Sequence, residues 1–294
     1  MAGKRLELSS EQRDALTALV SDPIYELIPL KTADDVATAL PSGASVTVTT
    51  SVKLGLDATL GLSERLSARG HPVAPHLAAR LIRDRAHLAD LIDRMNGGGI
   101  RRLFVVGGDG PAIGEIRDGL TVIRLLAERG HHFEAIGVPA YPEGHSTIPA
   151  DILLRDLRDK QPHVQWMTTQ MSFTPTAVAS WISAVRSQGI ALPIHLGVPG
   201  AVEFTRLTRI AATIGIADAT RYLSKQRGLL GHLLQRPAYA PERYLTALAA
   251  TLADPASNVR ALHVFTMNAV AATLEWQRTF LNLLSRAKET GPES

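Results

Sequence analysis

The chain has 294 residues, 45% of them apolar and only 5% aromatic, enough to bury a large core built mostly from Leu, Val, Ile and Ala. Its net charge of +3 comes from 31 Lys and Arg against 28 Asp and Glu spread along the sequence, so no basic run suggests a nucleic-acid partner. Cysteine is absent, which excludes disulfides, thiolate nucleophiles, iron–sulfur clusters and Cys-based zinc sites; with neither a signal-peptide core nor a membrane-length apolar run, the expected location is the cytoplasm.

Ser9-Ser10-Glu11-Gln12 reads as the capped start of a leading helix. Short β-branched runs then predict strands at Ile24–Leu30, Ser45–Thr50, Pro72–Leu77, Arg102–Gly107, Phe133–Ala140, Gln165–Met171, Pro193–Val198 and Ala261–Met267. Amphipathic helices are predicted between them at Thr59–Ala68, Arg83–Met95, Ile116–Arg129 and Thr176–Ser187. In one of these, Leu120, Ile123, Leu126 and Ala127 fall on a single face. Residues 200–258 separate the last two strands and are expected to hold helices at Ala201–Ile214, around Ala217–Gln235 and at Pro241–Ala253. The strands are nearly continuous apolar runs, as when both faces are buried. The pattern implies an α/β chain folded as one (β/α)8 barrel domain over residues 1–294, with an N-terminal helix and extra helices between strands 7 and 8. An open doubly wound sheet is the alternative.

In a barrel of this kind the working residues follow the strands, on the C-terminal rim. Polar residues in that position are Glu26, Lys31, Thr49, His76, Asp109, Tyr141, Glu143, His145, Gln170 and Asn268. Glu26 interrupts the apolar run Ile24-Tyr25-Glu26-Leu27-Ile28. A carboxylate is costly to bury while charged, so two readings stand: a general acid, or half of a buried ion pair with Lys or Arg. Gly107-Gly108-Asp109-Gly110-Pro111-Ala112-Ile113-Gly114 follows a strand and precedes a helix, but its glycine spacing is not that of a dinucleotide fingerprint. Asp109 would repel a phosphate, so the run reads as a tight turn that presents Asp109 to a ligand. Ten histidines are present, yet His131-His132 reads as a surface pair, and His76 and His145 lack metal-spaced partners. No catalytic metal is expected.

Eight stretches, in order, resemble the methylenetetrahydrofolate reductase family over about residues 22–270: Tyr25-Glu26-Leu27-Ile28-Pro29-Leu30-Lys31, Ser45-Val46-Thr47-Val48-Thr49, Pro75-His76-Leu77, Gly107-Gly108-Asp109, Ala140-Tyr141-Pro142-Glu143-Gly144-His145, Thr169-Gln170, Gly197-Val198-Pro199 and Val264-Phe265-Thr266-Met267-Asn268. The resemblance implies a (β/α)8 barrel that reduces 5,10-methylenetetrahydrofolate to 5-methyltetrahydrofolate. Glu26 then matches the acid that opens the five-membered ring, Asp109 and Gln170 match residues that hydrogen-bond the pterin, and Phe204 matches an aromatic that packs on folate or nicotinamide. Thr49, His76, Tyr141, His145 and Asp151 match positions that contact flavin in typical members.

Departures from the family pattern bear on the cofactor. The family's Arg-Gly-Asp is here Gly107-Gly108-Asp109, and leucines stand at Leu153 and Leu154 where an Asn and a basic residue would face FAD. The Phe-Phe-Asp after the glutamine is Met171-Ser172-Phe173. Each lost charge-assisted bond to a pyrophosphate costs about 1.5–3 kcal/mol. The expected enzyme therefore takes hydride directly from NADH, or from NADPH, without FAD. The alternatives are an FAD-dependent reductase with substituted phosphate ligands, a deazaflavin donor, and a folate-binding relative without turnover. The expected partner is a small-molecule folate; the oligomeric state is not fixed at this level.

Overall fold

A computed structural model describes residues 7–201 and 241–289. Helix α1, Ser10–Ser21, opens the fold with the expected capping box: the Ser9 hydroxyl accepts from Gln12 N, and the Gln12 side chain accepts from Ser9 N. Eight strands follow: β1 (Ile24–Leu27), β2 (Val46–Val48), β3 (Val73–Ala78), β4 (Arg102–Val106), β5 (Ala135–Ala140), β6 (Trp166–Thr169), β7 (Ile194–Pro199) and β8 (Val259–Phe265). Each pairs in parallel with the next, and β8 pairs with β1. That last pairing closes the barrel and excludes the open sheet.

Parallel neighbours need a crossover, and helices supply it. Helices α2 (Ala33–Ala37), α3 (Gly55–Ala68), α4 (Arg85–Gly97), α5 (Gly119–Arg129), α6 (Ala150–Lys160) and α7 (Pro175–Ser187) follow β1 to β6 in turn. Helices α8 (Glu242–Ala247) and α9 (Ala249–Ala253) precede β8, and α10 (Val270–Glu289) follows it. Extra helices before β8 are thus present at the predicted Pro241–Ala253. The helices expected at Ala201–Ile214 and Ala217–Gln235 lie outside the described residues, apart from Ala201 itself.

Several boundaries differ from the sequence reading for local reasons. The helix predicted from Ile116 starts at Gly119, because the Asp118 carboxylate accepts from Thr121 N at 2.8 Å and caps it there. The helix predicted from Thr59 starts at Gly55, extending the buried stripe through Leu56 and Leu60. The predicted strand Ile24–Leu30 stops at Leu27. Pro29 has no N–H to donate, and the Ile28 peptide is taken by a side chain instead: Asn268 Oδ1 accepts from Ile28 N, and Asn268 Nδ2 donates to Ile28 O, both at 2.8 Å.

Alternation along β1 sorts its side chains. Tyr25 and Leu27 face outward, where they pack with Val46, Val48, Leu62, Leu66 and Val270. The Tyr25 hydroxyl donates to Gln277 Oε1 on α10 at 2.7 Å, and Gln277 Nε2 donates to Val20 O at the end of α1. Burial raises the Tyr25 phenol to about 12, so it stays a neutral donor. Glu26, between these two residues, therefore faces the barrel interior. The interior is packed with Ala74, Phe104 and Trp166, flanked by Val106 and Ala135. Gly137 makes room for this layer, since a Cβ there would overlap the Trp166 indole. Gly137→Ala should therefore cost about 1–3 kcal/mol by overpacking, read as a lower urea midpoint with an unchanged slope.

Candidate active site

Glu26 is 6% exposed in the barrel interior. Its backbone stands opposite Thr47 of β2 and Phe265 of β8. His263 Nε2 lies 3.1 Å from Glu26 Oε2, and His76 Nε2 lies 3.7 Å from the same oxygen. No Lys or Arg among the described residues pairs with Glu26, so the ion-pair reading is replaced by a carboxyl between two imidazoles. Oε1 accepts no hydrogen bond from a described residue.

The carboxyl is held from behind by the chain that leaves β8. Thr266 Oγ1 donates to Glu26 O at 2.6 Å and accepts from Asn268 N at 3.1 Å. Together with the Asn268 clamp on Ile28, this fixes the whole Glu26–Ile28 segment. The turn that makes it possible puts Met267 at φ 49° and Asn268 at φ 56°, a left-handed conformation that Asn tolerates better than most residues. Asn268 sits where the rim reading put it, but buried and bonded to backbone.

Beneath the carboxyl runs a row of rings. His76 lies 4.7 Å from Phe104, Phe104 lies 6.4 Å from Trp166, and Trp166 lies 5.4 Å from His195, by ring centroids. Burial pushes His76 down to about 4, against the pull of Glu26 and with a further push from His263. Burial likewise pushes His195 down to about 3, helped by His263 and Arg102. Both rings are neutral near pH 7.

The remaining candidates occupy the rim with different degrees of engagement. Thr49 directly follows β2, its N donating to Leu27 O and its O accepting from Thr59 Oγ1. Asp109 and Gln170 are exposed, and Gln170 Oε1 accepts from Met171 N at 2.9 Å. Tyr141 and His145 meet edge to face at 5.0 Å. His145 Nδ1 accepts from Thr147 N and Ile148 N, which leaves the proton on Nε2 when the ring is neutral. Glu143 serves the scaffold: its Oε1 accepts from Phe173 N at 2.9 Å and Thr174 N at 2.7 Å, tying the β5 loop to the start of α7. Asp151 is on the exposed first turn of α6, 3.9 Å from Arg155. Phe204 lies outside the described residues. Among the described residues no His, Asp or Glu group is arranged to hold a metal ion, and no helix is long and apolar enough to cross a membrane.

The methylenetetrahydrofolate reductase family model matches residues 29–279, most of the chain. The chain belongs to the methylenetetrahydrofolate reductase family. This makes it kin to oxidoreductases that act on methylenetetrahydrofolate, a small-molecule folate substrate. The match begins at Pro29, just past Glu26, so the family assignment does not depend on that residue. Two oxaloacetate acetylhydrolase structures share the barrel. The one in complex with oxalate aligns at TM-score 0.51 and 10% identity, over 97% of this chain and 89% of that chain. The other aligns at TM-score 0.51 and 9% identity, over 99% and 91%. Identities this low carry a likeness of fold alone.

Of the candidate residues named in sequence, Glu26 and His76 come together, while Thr49, Asp109, Tyr141, His145 and Gln170 lie in the segments that follow β2, β4, β5 and β6. Sequence reasoning missed His263, Thr47, Trp166 and His195. Period two in Ala261-Leu262-His263-Val264-Phe265 was the available signal, since buried Leu262 and Val264 force His263 to the opposite face. The neutral imidazoles have a measurable consequence. Unfolded, His76 and His195 take up protons below about 6.5; folded, they do so only near 4 and 3. The unfolded chain then binds more protons, so their contribution, complete above 6.5, is lost as pH falls towards 4, by up to about 1.4 kcal/mol per pH unit for each ring. Urea midpoints across that window should show this loss, and His195→Gln should flatten it by up to about one proton.

Proposed function

We propose that this chain reduces 5,10-methylenetetrahydrofolate to 5-methyltetrahydrofolate with hydride taken directly from NADH, or from NADPH, and without bound FAD. The observation that carries the reaction is Glu26, buried at the barrel mouth and, among the described residues, in contact with imidazoles instead of a guanidinium or ammonium, with no hydrogen bond to Oε1. Glu26 gives its proton to N10 of the folate as the bond from N10 to the methylene carbon breaks, leaving an iminium at N5. The reduced nicotinamide supplies the hydride that this carbon accepts. His263 and the Thr266–Asn268 turn hold the carboxyl in place, and neutral His76 borders it without competing as a cation. Asp109 and Gln170 hydrogen-bond the pterin, and Phe204 packs on folate or nicotinamide. Thr49, His76, Tyr141, His145 and Asp151 line the side of the rim that receives the donor.

The flavin-free reading is supported by the α6 and β4 segments. Gly107 offers no cation, Leu154 packs against the core, and the α6 cation nearest Asp151 is exposed and paired with it. These positions do not form a pyrophosphate cradle of the family type.

The test is NADH oxidation with 5,10-methylenetetrahydrofolate, using protein whose absorbance spectrum is free of flavin. Turnover is expected without added FAD; turnover that appears only after FAD is supplied would sink the direct-transfer reading, and none with either would favour a folate binder. Glu26→Gln should lower kcat by about 10²–10⁴-fold with little change in folate affinity. An unchanged rate would remove Glu26 from the acid role.

A further inference from the structure

A cavity opens between the loops after β3 and β4. It has a volume of about 410 Å³ and is lined by Arg80, Gly110, Pro111, Ala112, Gly114 and Arg117. Among the described residues, two arginines and no acid line it, although Asp109 and Glu115 are close by in sequence. Arg80 is fixed to the loop: Nη1 donates to Gly110 O at 3.0 Å and Nε to Arg117 O at 3.3 Å. Its Nη2 donates to no described residue, and neither does the Arg117 guanidinium. Two cations without a lining counter-charge create a positive field that an anion relieves.

The cavity is built, not incidental to a loose loop. Arg80 N donates to Gly107 O, Ile113 N to Arg80 O, and Glu115 N to Arg83 O, at 3.0–3.3 Å, lacing the two loops together. Gly108 and Gly110 turn the chain at φ 86° and 74°, where other residues are strained. Gly114 lies so close to the Arg83 carbonyl that no side chain fits there. Two exposed apolar side chains, Val52 at 55% and Ile113 at 57%, flank the loop and offer faces for a ring. Arg80 is four residues past His76, the neighbour of Glu26, so at about 3.3 Å per residue the cavity is at most roughly 13 Å along the chain from the proposed reaction centre.

We propose that this cavity binds the diphosphate of the hydride-carrying dinucleotide, with Arg80 and Arg117 as its clamps. This rests on the dinucleotide-dependent reduction proposed above. It places the cations missing at Gly107, Leu153 and Leu154 on neighbouring segments, and it gives the glycine run a phosphate role that begins one residue after Asp109. Guanidinium groups suit this task because their forked donors match phosphate oxygens.

ADP-ribose tests the proposal without turnover, because it carries the diphosphate but no reacting ring. Calorimetry on the full chain should show ADP-ribose binding that NADH competes for and that weakens with salt. Arg117→Gln, which breaks no bond within the described protein, should weaken ADP-ribose about 10–100-fold at unchanged folate affinity and melting temperature. Arg80→Lys, which keeps the charge but loses the fork, should fall between the two. Failure of ADP-ribose to bind the wild type, or equal binding by Arg117→Gln, would overturn the proposal. A loss of folate affinity in Arg117→Gln, with ADP-ribose unaffected, would assign the cavity to the glutamate carboxylates and overturn it too. Arginine-dependent ADP-ribose binding in a protein whose turnover requires FAD would support this cavity while refuting the flavin-free reading.

Discussion

The site depends on how the barrel closes. When β8 pairs with β1, residues more than two hundred positions apart become neighbours, and the contact is made twice. Inside the barrel, His263 meets the Glu26 carboxyl. At the rim, Thr266 and Asn268 take over the backbone of Glu26 and Ile28 as a further strand residue would. The unusual backbone of Met267 and Asn268 follows from that second contact, because the side-chain amide must turn back to reach Ile28. A conformational cost of about 1–3 kcal/mol is the usual scale for such residues, and the hydrogen bonds they make offset it.

Closure also sets the electrostatics. The interior layer is made of rings instead of the branched aliphatics common in such barrels, and Gly137 exists in the layer to admit the largest of them. Rings exclude water without supplying charge. In that medium burial pushes His76 and His195 towards the neutral form, and of the two it is His76 that borders the carboxyl. A Lys or Arg at the same place would hold Glu26 as a carboxylate and make a poor acid of it. Under the proposed reaction, imidazoles at this place suit proton transfer from Glu26 better than a paired cation would.

Around this centre the rim divides its labour. Glu143 turns Oε1 to the start of α7, so the most conspicuous acid of the Tyr141–His145 segment is an anchor. Tyr141 and His145 remain as a paired face next to it. On the neighbouring β3 and β4 loops, Arg80 and Arg117 bring two guanidinium-bearing side chains together, whereas on α6 Arg155 and Lys160 face acids of their own helix. Family-level signatures assign phosphate recognition by position in sequence, whereas recognition itself responds to where the charge ends up in space. A cation moved from one loop to the next is invisible to the first and equivalent for the second.

Much of the barrel was legible in the chain itself. Short β-branched apolar runs, the Ser9–Gln12 cap and the order of elements were enough for the eight strands and the leading helix, and eight short ordered motifs were enough for the family. They are local properties, written within a turn or a strand of the residue concerned. Glu26 was legible for the same reason, as a charge inside an apolar run. Its partners were not: the sequence left a general acid and an ion pair with Lys or Arg both open and named no histidine beside it, and the observed partners are His76 and His263, brought in by β3 and β8. Nor was the role of Asn268 or Glu143, whose hydrogen bonds go to backbone groups far along the chain, or the cavity shared by Arg80 and Arg117. Sequence alone determined which residues could bear charge, protons or rings, and on which face of its own strand each would stand. Only the tertiary structure decided which of them meet, because closing the barrel joins strands distant in sequence, and contact, burial and the pKa of His76 and His195 are properties of the meeting.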